Sequence, residues 1–260
     1  MNDSFRTGIS EVTDGVVNLR GYSLDDVMRT MDSAGGAFLC IFGRLPSPAE
    51  KALLNPILNS LLDHGFVAST ISAARYVASG NPELVPAVAG GLLAAGSNTV
   101  SPQHSFEVLK EAARLRRERS LDFDQAAKEI VSGFRASGRR LPGFGHPTHK
   151  HSDFRATTLF EIATDCHAAG PGIKQFEAIH TALHQSSGKQ LPINIDGALA
   201  AVGYDFGWTV RQTVALAILS VLPGIVAHAI EEIEDGRPLR HIAGTYDVPA
   251  IRPLPATERT

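Results

Sequence analysis

The sequence predicts an all-α fold. Apolar residues recur at helical spacing along most of its 260 residues, and helix-start signals precede several of these runs. Strand-like sequence is confined to a short stretch near the N-terminus. Because alternating strand and helix patterns are absent, the sequence excludes doubly wound and barrel folds.

The predicted elements follow from these signals in chain order. Residues 15–20 (Gly-Val-Val-Asn-Leu-Arg) are the one convincing strand region, interpreted as part of an N-terminal hairpin. Residues 47–50 (Ser-Pro-Ala-Glu) form a capping box with proline at the first helical position, and this helix is predicted to end at Gly65. Pro223 is predicted to divide two helices near the C-terminus. The other predicted helices cover about residues 23–31, 69–77, 82–95, 106–115, 123–134, 154–168, 174–185, 195–202, 210–222 and 224–234.

Composition excludes several classes of protein. Hydrophobic residues make up 43% of the chain, charged residues 20%, and the net charge is −3, so disorder and a nucleic-acid surface are not expected. Cys40 and Cys166 lie far apart, in neither a disulfide nor a metal-ligand pattern. We find no run of about twenty apolar residues and no signal peptide. The sequence therefore predicts a cytoplasmic protein without a membrane span.

Two loops between helices are candidates for chemistry. In residues 141–150, glycines and prolines force a tight backbone that ends at His146, which is suited to donate or carry a proton. The alternative is a surface turn with exposed histidines. In residues 191–198, Asp196 lies among apolar neighbours at the head of a helix. Asp196 is either a plain helix cap or a buried carboxyl whose raised pKa suits a carbon-acid base.

These loops resemble those of the citrate synthase/citryl-CoA lyase family. The resemblance also covers residues 7–10, 20–24, 43–47, 63–65 and 236–240, in the family's order. It implies a citrate synthase-like helical fold in a single unit spanning residues 1–260. A large helical domain would comprise approximately residues 1–100 and 190–260, and a small helical lobe approximately residues 101–190.

The resemblance also implies catalytic roles. Asp196 matches the residue that moves a proton at the acyl-CoA α-carbon. His146 matches the residue that exchanges a proton with the keto or hydroxy oxygen, and His64 matches a histidine that hydrogen-bonds the substrate acid. No metal is expected.

Binding roles follow in the same way. Arg155 matches an arginine that clamps a substrate carboxylate, and Arg240 is the candidate arginine that completes the site of a partner subunit in a homodimer. The coenzyme A thioester is expected as substrate or product, with no tightly bound cofactor. The residues expected to contact it are Pro142, Gly143, Phe144, Gly145, Lys150 and Asn194.

Two positions depart from the family pattern. Ser101 or Pro102 stands where synthases carry a histidine that steadies the enolate, with His104 a few residues late. Leu222 stands where the family usually has an arginine for a second substrate carboxylate. An apolar side chain cannot pair that charge, so we expect a keto acid with one carboxylate and an apolar or neutral remainder.

The short length and the missing histidine favour a lyase. The predicted reaction cleaves a 3-hydroxy-3-carboxyacyl-CoA to a short acyl-CoA and an α-keto acid. One alternative is a citrate synthase-like enzyme that condenses acetyl-CoA or another short acyl-CoA with an α-keto acid. Another is a non-catalytic paralogue that binds coenzyme A.

Overall fold

The computed structural model describes residues 5–188 and 190–253, and it confirms the all-α prediction. Three short strands, β1 (Ser10–Thr13), β2 (Val16–Leu19) and β3 (Tyr22–Ser23), form an antiparallel sheet in the order β1-β2-β3. The predicted hairpin is its first pair, in which Thr13 lies opposite Val16. The helices are α1 (Leu24–Thr30), α2 (Ser33–Phe42), α3 (Pro48–Asn59), α4 (Ser69–Gly80), α5 (Leu84–Leu93), α6 (Pro102–Arg119), α7 (Phe123–Ala136), α8 (Phe154–Asp165), α9 (Pro171–Ser187), α10 (Ile195–Asp205) and α11 (Val210–Asp235).

Helix α10 lies at the centre of the main hydrophobic core. Its residues 197–203 are all buried, because alanines, glycines and branched side chains let neighbouring helices approach it on every side. Helices α6, α8, α9 and α11 pack around it. A second cluster of buried residues, including Val108, Ile130 and Ile179, lies between α6, α7 and α9. The active-site candidates at the head of α10 are therefore attached to the most buried helix.

The predicted break at Pro223 is wrong, because α11 continues through it as one helix. Proline removes a backbone donor, but Val221 and Ile225 on either side of it are buried in the same cluster with Ile71. Tertiary packing of both halves on one core therefore outweighs the local cost.

Helix α11 is also long and apolar enough to cross a membrane by length and composition alone. In this structure 44% of its most apolar window is buried, and the helix packs against α4 and α5. The core helix of a folded domain passes the same test.

The helix that begins at Ser47 ends at Asn59, earlier than the predicted Gly65. The chain beyond it crosses α11 at Gly224, where an added Cβ would lie 2.1 Å from the Leu62 carbonyl oxygen. Only a glycine permits this approach. The crossing places His64 on a loop rather than on a helix.

Glu50, at the start of α3, joins three parts of the fold. It completes the capping box with Ser47, pairs with Arg44 at 2.6 Å, and accepts from Trp208 Nε1 at 2.8 Å. Burial alone would raise the pKa of Glu50, but the hydrogen bonds from Arg44, Trp208 and Ser47 outweigh it and lower this pKa to about 2.

Replacing Glu50 with glutamine is expected to lower the free energy of unfolding by about 3 kcal/mol, the lower end for a broken buried ion pair, because Arg44 is half exposed. The lowered pKa means that Glu50 stabilises the fold fully above about pH 4.5 and loses this contribution as the pH falls toward 2. Urea unfolding at several pH values measures both effects. The exposed Glu107→Gln is the control, and an equal loss in both variants would contradict the prediction.

Candidate active site

The two candidate loops lie against each other. Gly145 N donates to Pro192 O at 2.8 Å, and Asn194 N donates to Gly143 O at 2.9 Å. The Asn194 side chain also donates to Gly145 O at 2.9 Å and caps α10 by accepting from Gly197 N at 3.1 Å. Asn194, proposed from the resemblance as a ligand contact, thus fastens the His146 loop to the Asp196 helix.

The turn in the first loop requires glycine. Gly143 has φ +86°, and an added Cβ would lie 2.6 Å from the Phe176 ring. Phe144 stacks on the same ring, with centroids 5.2 Å apart. These contacts hold the loop on α9 and fix where His146 leaves it.

Asp196 is not the helix cap, since Asn194 has that role. The Asp196 carboxyl instead accepts from Ser101 N at 3.1 Å and Ser101 Oγ at 3.4 Å. Burial raises the pKa of Asp196, although the Ser101 hydrogen bonds and the positive charge of Arg155 oppose the rise. A carboxyl held in this way can take or give a proton under conditions where an exposed aspartate stays ionised.

Ser101 therefore has a role that the sequence did not show. At the N-cap of α6, it contacts Asp196 directly. His104, one turn into α6, adds only a weaker electrostatic influence on the pKa of Asp196.

His64 and His146 form a pair across the site. Their Nε2 atoms are 3.0 Å apart. His146 Nδ1 accepts from the backbone N–H groups of Thr148 and His149, each at 3.0 Å. A neutral His146 therefore carries its proton on Nε2 and donates it to His64 Nε2.

The surroundings of both rings favour the neutral form. Burial, followed by repulsion from a proton on His64 and by the positive charge of Arg155, lowers the pKa of His146 to about 4. Burial, followed by Arg155 and His149, also lowers the pKa of His64. The pair thus offers one N–H donor, on His146 Nε2, and one acceptor lone pair, on His64 Nε2.

A third imidazole, His149 of the same loop, is half-buried beside this pair. One nitrogen from each of His64, His146 and His149 lies within 4.8 Å of the others, a spacing that suits a metal ion. However, a cation on His146 Nε2 would move the ring proton from Nε2 to Nδ1. A protonated Nδ1 could no longer accept the hydrogen bonds from the backbone N–H groups of Thr148 and His149. The hydrogen bonding of His146 therefore favours proton chemistry at this cluster.

Arg155 is buried and already partly paired. Its Nε and Nη2 bind the two carboxylate oxygens of Asp153 at 2.8 and 2.7 Å. Asp153 also accepts from Ile195 N at 3.2 Å, which ties Arg155 to the head of α10. The third nitrogen of the planar guanidinium, Nη1, does not bind Asp153 and can donate to a further anion.

These groups line one cavity of about 400 Å³. Its polar lining includes Asp196, His64, His146 and Arg155. Apolar side chains also line it: Leu61, Leu62, Val67, Ile71, Val100 and Val221. A carboxyl, two imidazoles and a guanidinium thus converge in a partly apolar space, which suits acid–base chemistry on a small organic acid.

Six predicted residues do not line this cavity: Pro142, Gly143, Phe144, Lys150, Leu222 and Arg240. Leu222 is not among the residues that line this cavity, and Val221 takes that place because one helical step turns the side chain away. Arg240 pairs within its own chain with Glu232 of α11. Lys150 lies on an adjacent cavity of about 670 Å³ that also includes Gly145, His146, Arg139 and Arg140.

The family model "Citrate synthase, C-terminal domain" matches residues 22–253. The chain belongs to the citrate synthase family. Among curated relatives, it is 26% identical over 205 residues to "Citrate synthase 2" of Bacillus subtilis, covering 76% of this chain and 51% of that protein. It is 27% identical to the citrate synthase of Thermoplasma acidophilum, covering 90% and 61%. The chain thus spans roughly half to three-fifths of the length of the curated relatives it matches.

A solved structure matches along nearly the whole of both chains. Citryl-CoA lyase from Hydrogenobacter thermophilus superposes with a TM-score of 0.85 and 29% identity, covering 96% of this chain and 97% of that one. An ATP citrate lyase of Methanosaeta concilii, 19% identical with a TM-score of 0.78, shares the fold over 42% of its length. The predicted citrate synthase-like fold is therefore confirmed.

Proposed function

We propose that this chain is a carbon–carbon lyase that cleaves a 3-hydroxy-3-carboxyacyl-CoA to a short acyl-CoA and an α-keto acid. The observation that carries the proposal is the cavity shared by the half-buried Asp196 carboxyl and the His64–His146 pair. Cleavage needs a base at the hydroxyl oxygen and an acid at the carbon, and the imidazole pair and Asp196 supply one each.

We infer the proton transfers from the hydrogen bonds of the two imidazoles. His146 Nε2–H donates to the substrate oxygen, and the lone pair of His64 Nε2 takes the hydroxyl proton. The bond between the two carbons breaks, its electrons pass to the thioester as an enolate, and Asp196 protonates the α-carbon. Arg155 Nη1 binds the carboxylate next to the reacting carbon.

The condensing enzyme is the second candidate, because the curated relatives are synthases. The citryl-CoA lyase structure, which matches this chain with a TM-score of 0.85 and 29% identity, supports cleavage. Detection of free coenzyme A separates the two reactions. A synthase releases coenzyme A as product, whereas a lyase converts its substrate to a shorter acyl-CoA without release.

Coenzyme A binding is assigned to the adjacent cavity, because it shares Gly145 and His146 with the active site and carries Arg139, Arg140 and Lys150. The positive charges of these three side chains suit the phosphates of the coenzyme A nucleotide.

Arg140→Glu is expected to raise KM for the acyl-CoA about tenfold or more, equivalent to about 1.4 kcal/mol of binding free energy, and to change kcat little. Initial-rate kinetics measure both constants. The matched control is Arg117→Glu on the exposed side of α6, and equal effects of the two changes on KM would contradict the assignment.

The charges that line the cavity point to a substrate with one carboxylate beyond the thioester. Arg155 is the only arginine or lysine among the described residues lining the cavity, and Asp153 already occupies two of its nitrogens. Within one chain, a second buried carboxylate would have no cation to pair with, at a cost of several kcal/mol.

Val221→Arg is therefore expected to improve kcat/KM for citryl-CoA about tenfold, as one gained ion pair of about 1.4 kcal/mol would, and to impair substrates with an apolar remainder. Steady-state kinetics on both substrate types test this. Leu222→Arg is the control, since its side chain points away from the cavity. Robust turnover of citryl-CoA by the unmodified chain would contradict the one-carboxylate assignment.

We also propose that the chain forms a homodimer. Val85 and Leu93 on α5 are 78% and 85% exposed, and they offer apolar surface for a second copy. Because Arg240 is held by Glu232, it would have to leave this pair to enter a partner's site.

A further inference from the structure

His228 on α11 has no part in the chemistry described so far, although it contacts the segment that carries His64. This segment, the His64 loop, comprises residues 60–64 and has no helical structure, since α3 ends before it and a 3-10 helix at Gly65–Val67 follows it. The position of His64 matters, because its Nε2 lies 3.0 Å from His146 Nε2 and a misplacement of about 1 Å can lower a rate about 10²-fold. The groups that hold this loop therefore bear on catalysis.

Asp63, directly before His64, closes the turn of this loop. Its Oδ1 accepts from Gly65 N at 3.2 Å and lies 3.1 Å from His228 Nε2 on the neighbouring helix. Burial would raise the pKa of Asp63, but the hydrogen bonds from Gly65 N and His228 outweigh it and lower this pKa. One charged oxygen thus joins the turn around His64 to α11.

Arg75 on α4 determines which nitrogen of His228 carries the ring proton. Its Nη1 lies 3.1 Å from His228 Nδ1. A guanidinium can only donate, so Nδ1 is the acceptor and the proton is on Nε2, where it faces Asp63. Arg75 is itself held by Glu232, at 2.8 Å from its Nε, and by Glu231, at 3.0 Å from its Nη1. A continuous series of contacts therefore runs from α11 through Arg75 and His228 to Asp63.

Resting on the proposed function, we propose that His228 is a positioning residue that holds the His64 loop in its catalytic place through Asp63. His228 is not among the described residues that line the active-site cavity, so it acts through Asp63 and not on the substrate. Asp63 is exposed. Without the N–H of His228 Nε2, its carboxylate turns toward solvent and the turn that carries His64 loosens.

The charge of Asp63 gives this contact a second effect on His64. Burial, followed by the positive charge of Arg155, lowers the pKa of His64, whereas the negative charge of Asp63 opposes the fall. A carboxylate held beside His64 therefore favours the proton that His64 takes from the substrate hydroxyl. His228 keeps that charge in place.

The test compares His228→Phe with His228→Gln. Phenylalanine keeps a ring beside Phe66, whose centroid is 6.2 Å from that of His228, but it cannot donate to Asp63. Glutamine can donate to Asp63 through its amide nitrogen and accept from Arg75 through its amide oxygen. Cleavage kcat is expected to fall by about 10–10²-fold in the phenylalanine variant, up to the loss that a misplacement of about 1 Å can cause. The glutamine variant should retain most of the activity.

Two further measurements separate positioning from general damage to the site. Exchange of acyl-CoA α-protons in D2O, which uses Asp196, should persist in His228→Phe. Adding His228→Phe to Asp63→Ala should lower kcat little further, because the two residues act through one hydrogen bond. The matched control is His184→Phe, an exposed position in the last turn of α9, and it should behave as the unmodified chain does.

Three outcomes in the kinetics would overturn the positioning role: an unchanged kcat in His228→Phe, an equal loss in His228→Gln, or a parallel loss of α-proton exchange. Nitrogen NMR of the imidazoles tests the same contact without turnover, and a proton on Nδ1 of His228 would also overturn it. If the unmodified chain neither cleaves nor exchanges, the proposed function fails and the positioning role fails with it, even where NMR finds the proton on Nε2.

Discussion

Replacing Asp196 with asparagine is expected to lower the rate of cleavage by about 10²–10⁴-fold, the usual contribution of a well-placed general acid or base. The carboxamide has almost the same shape and can still accept from Ser101, so the fold should be retained. It cannot deliver a proton to carbon, because it has no titratable proton near neutral pH. The same change should abolish exchange of acyl-CoA α-protons in D2O, which NMR measures directly.

Asp205→Asn provides a matched control. Asp205 is also a carboxyl whose pKa burial raises, and it accepts from the backbone N–H groups of Gly170, Gly172 and Ile173 at the start of α9. Its replacement should lower stability and leave α-proton exchange in place. Equal exchange rates in the two variants would remove Asp196 from the reaction.

Replacing His146 with alanine is expected to have the second largest effect, a fall in cleavage kcat of about 10²–10⁴-fold. His146 is the ring whose Nε2 proton is fixed by two backbone hydrogen bonds to Nδ1, so no neighbouring group replaces it as donor. Without that donor, the negative charge that develops on the substrate oxygen loses its stabilising partner.

The readout for His146→Ala is the separation of two activities. Cleavage should fall steeply, whereas exchange of acyl-CoA α-protons should fall much less, because exchange involves only Asp196 and the thioester. A parallel fall in both activities would instead indicate a damaged site. His180→Ala tests for loop damage alone, since His180 stacks on Phe144 of the same loop but does not line the active-site cavity.

Much of the fold could be predicted from the sequence, because local signals and buried packing agree there. The capping box at Ser47 starts a helix, and the apolar period places the other helices within a few residues, except α2, which was not predicted. Pro223 shows the limit. A local rule predicts a break, but Val221 and Ile225 bury against one cluster, and that packing involves residues far away in sequence.

The site was predictable at its two loops and not beyond them. Glycine spacing and a lone aspartate mark His146 and Asp196, but the contact between Ser101 and Asp196 joins residues 95 positions apart. No local pattern encodes such a contact. The place of His149 was not predictable for the same reason, since its ring lies against that of His64, which is remote in sequence. The side of α11 that faces the cavity was misjudged by one residue, a rotation that only the packed helix defines.

The most direct test is a crystal structure of the chain with a short acyl-CoA and an α-keto acid bound. We expect the thioester α-carbon to contact the Asp196 carboxyl and the keto oxygen to lie within hydrogen-bond distance of Nε2 of His146 or His64. Ligands bound with the α-carbon remote from Asp196, or with the keto oxygen outside the reach of both imidazoles, would contradict it.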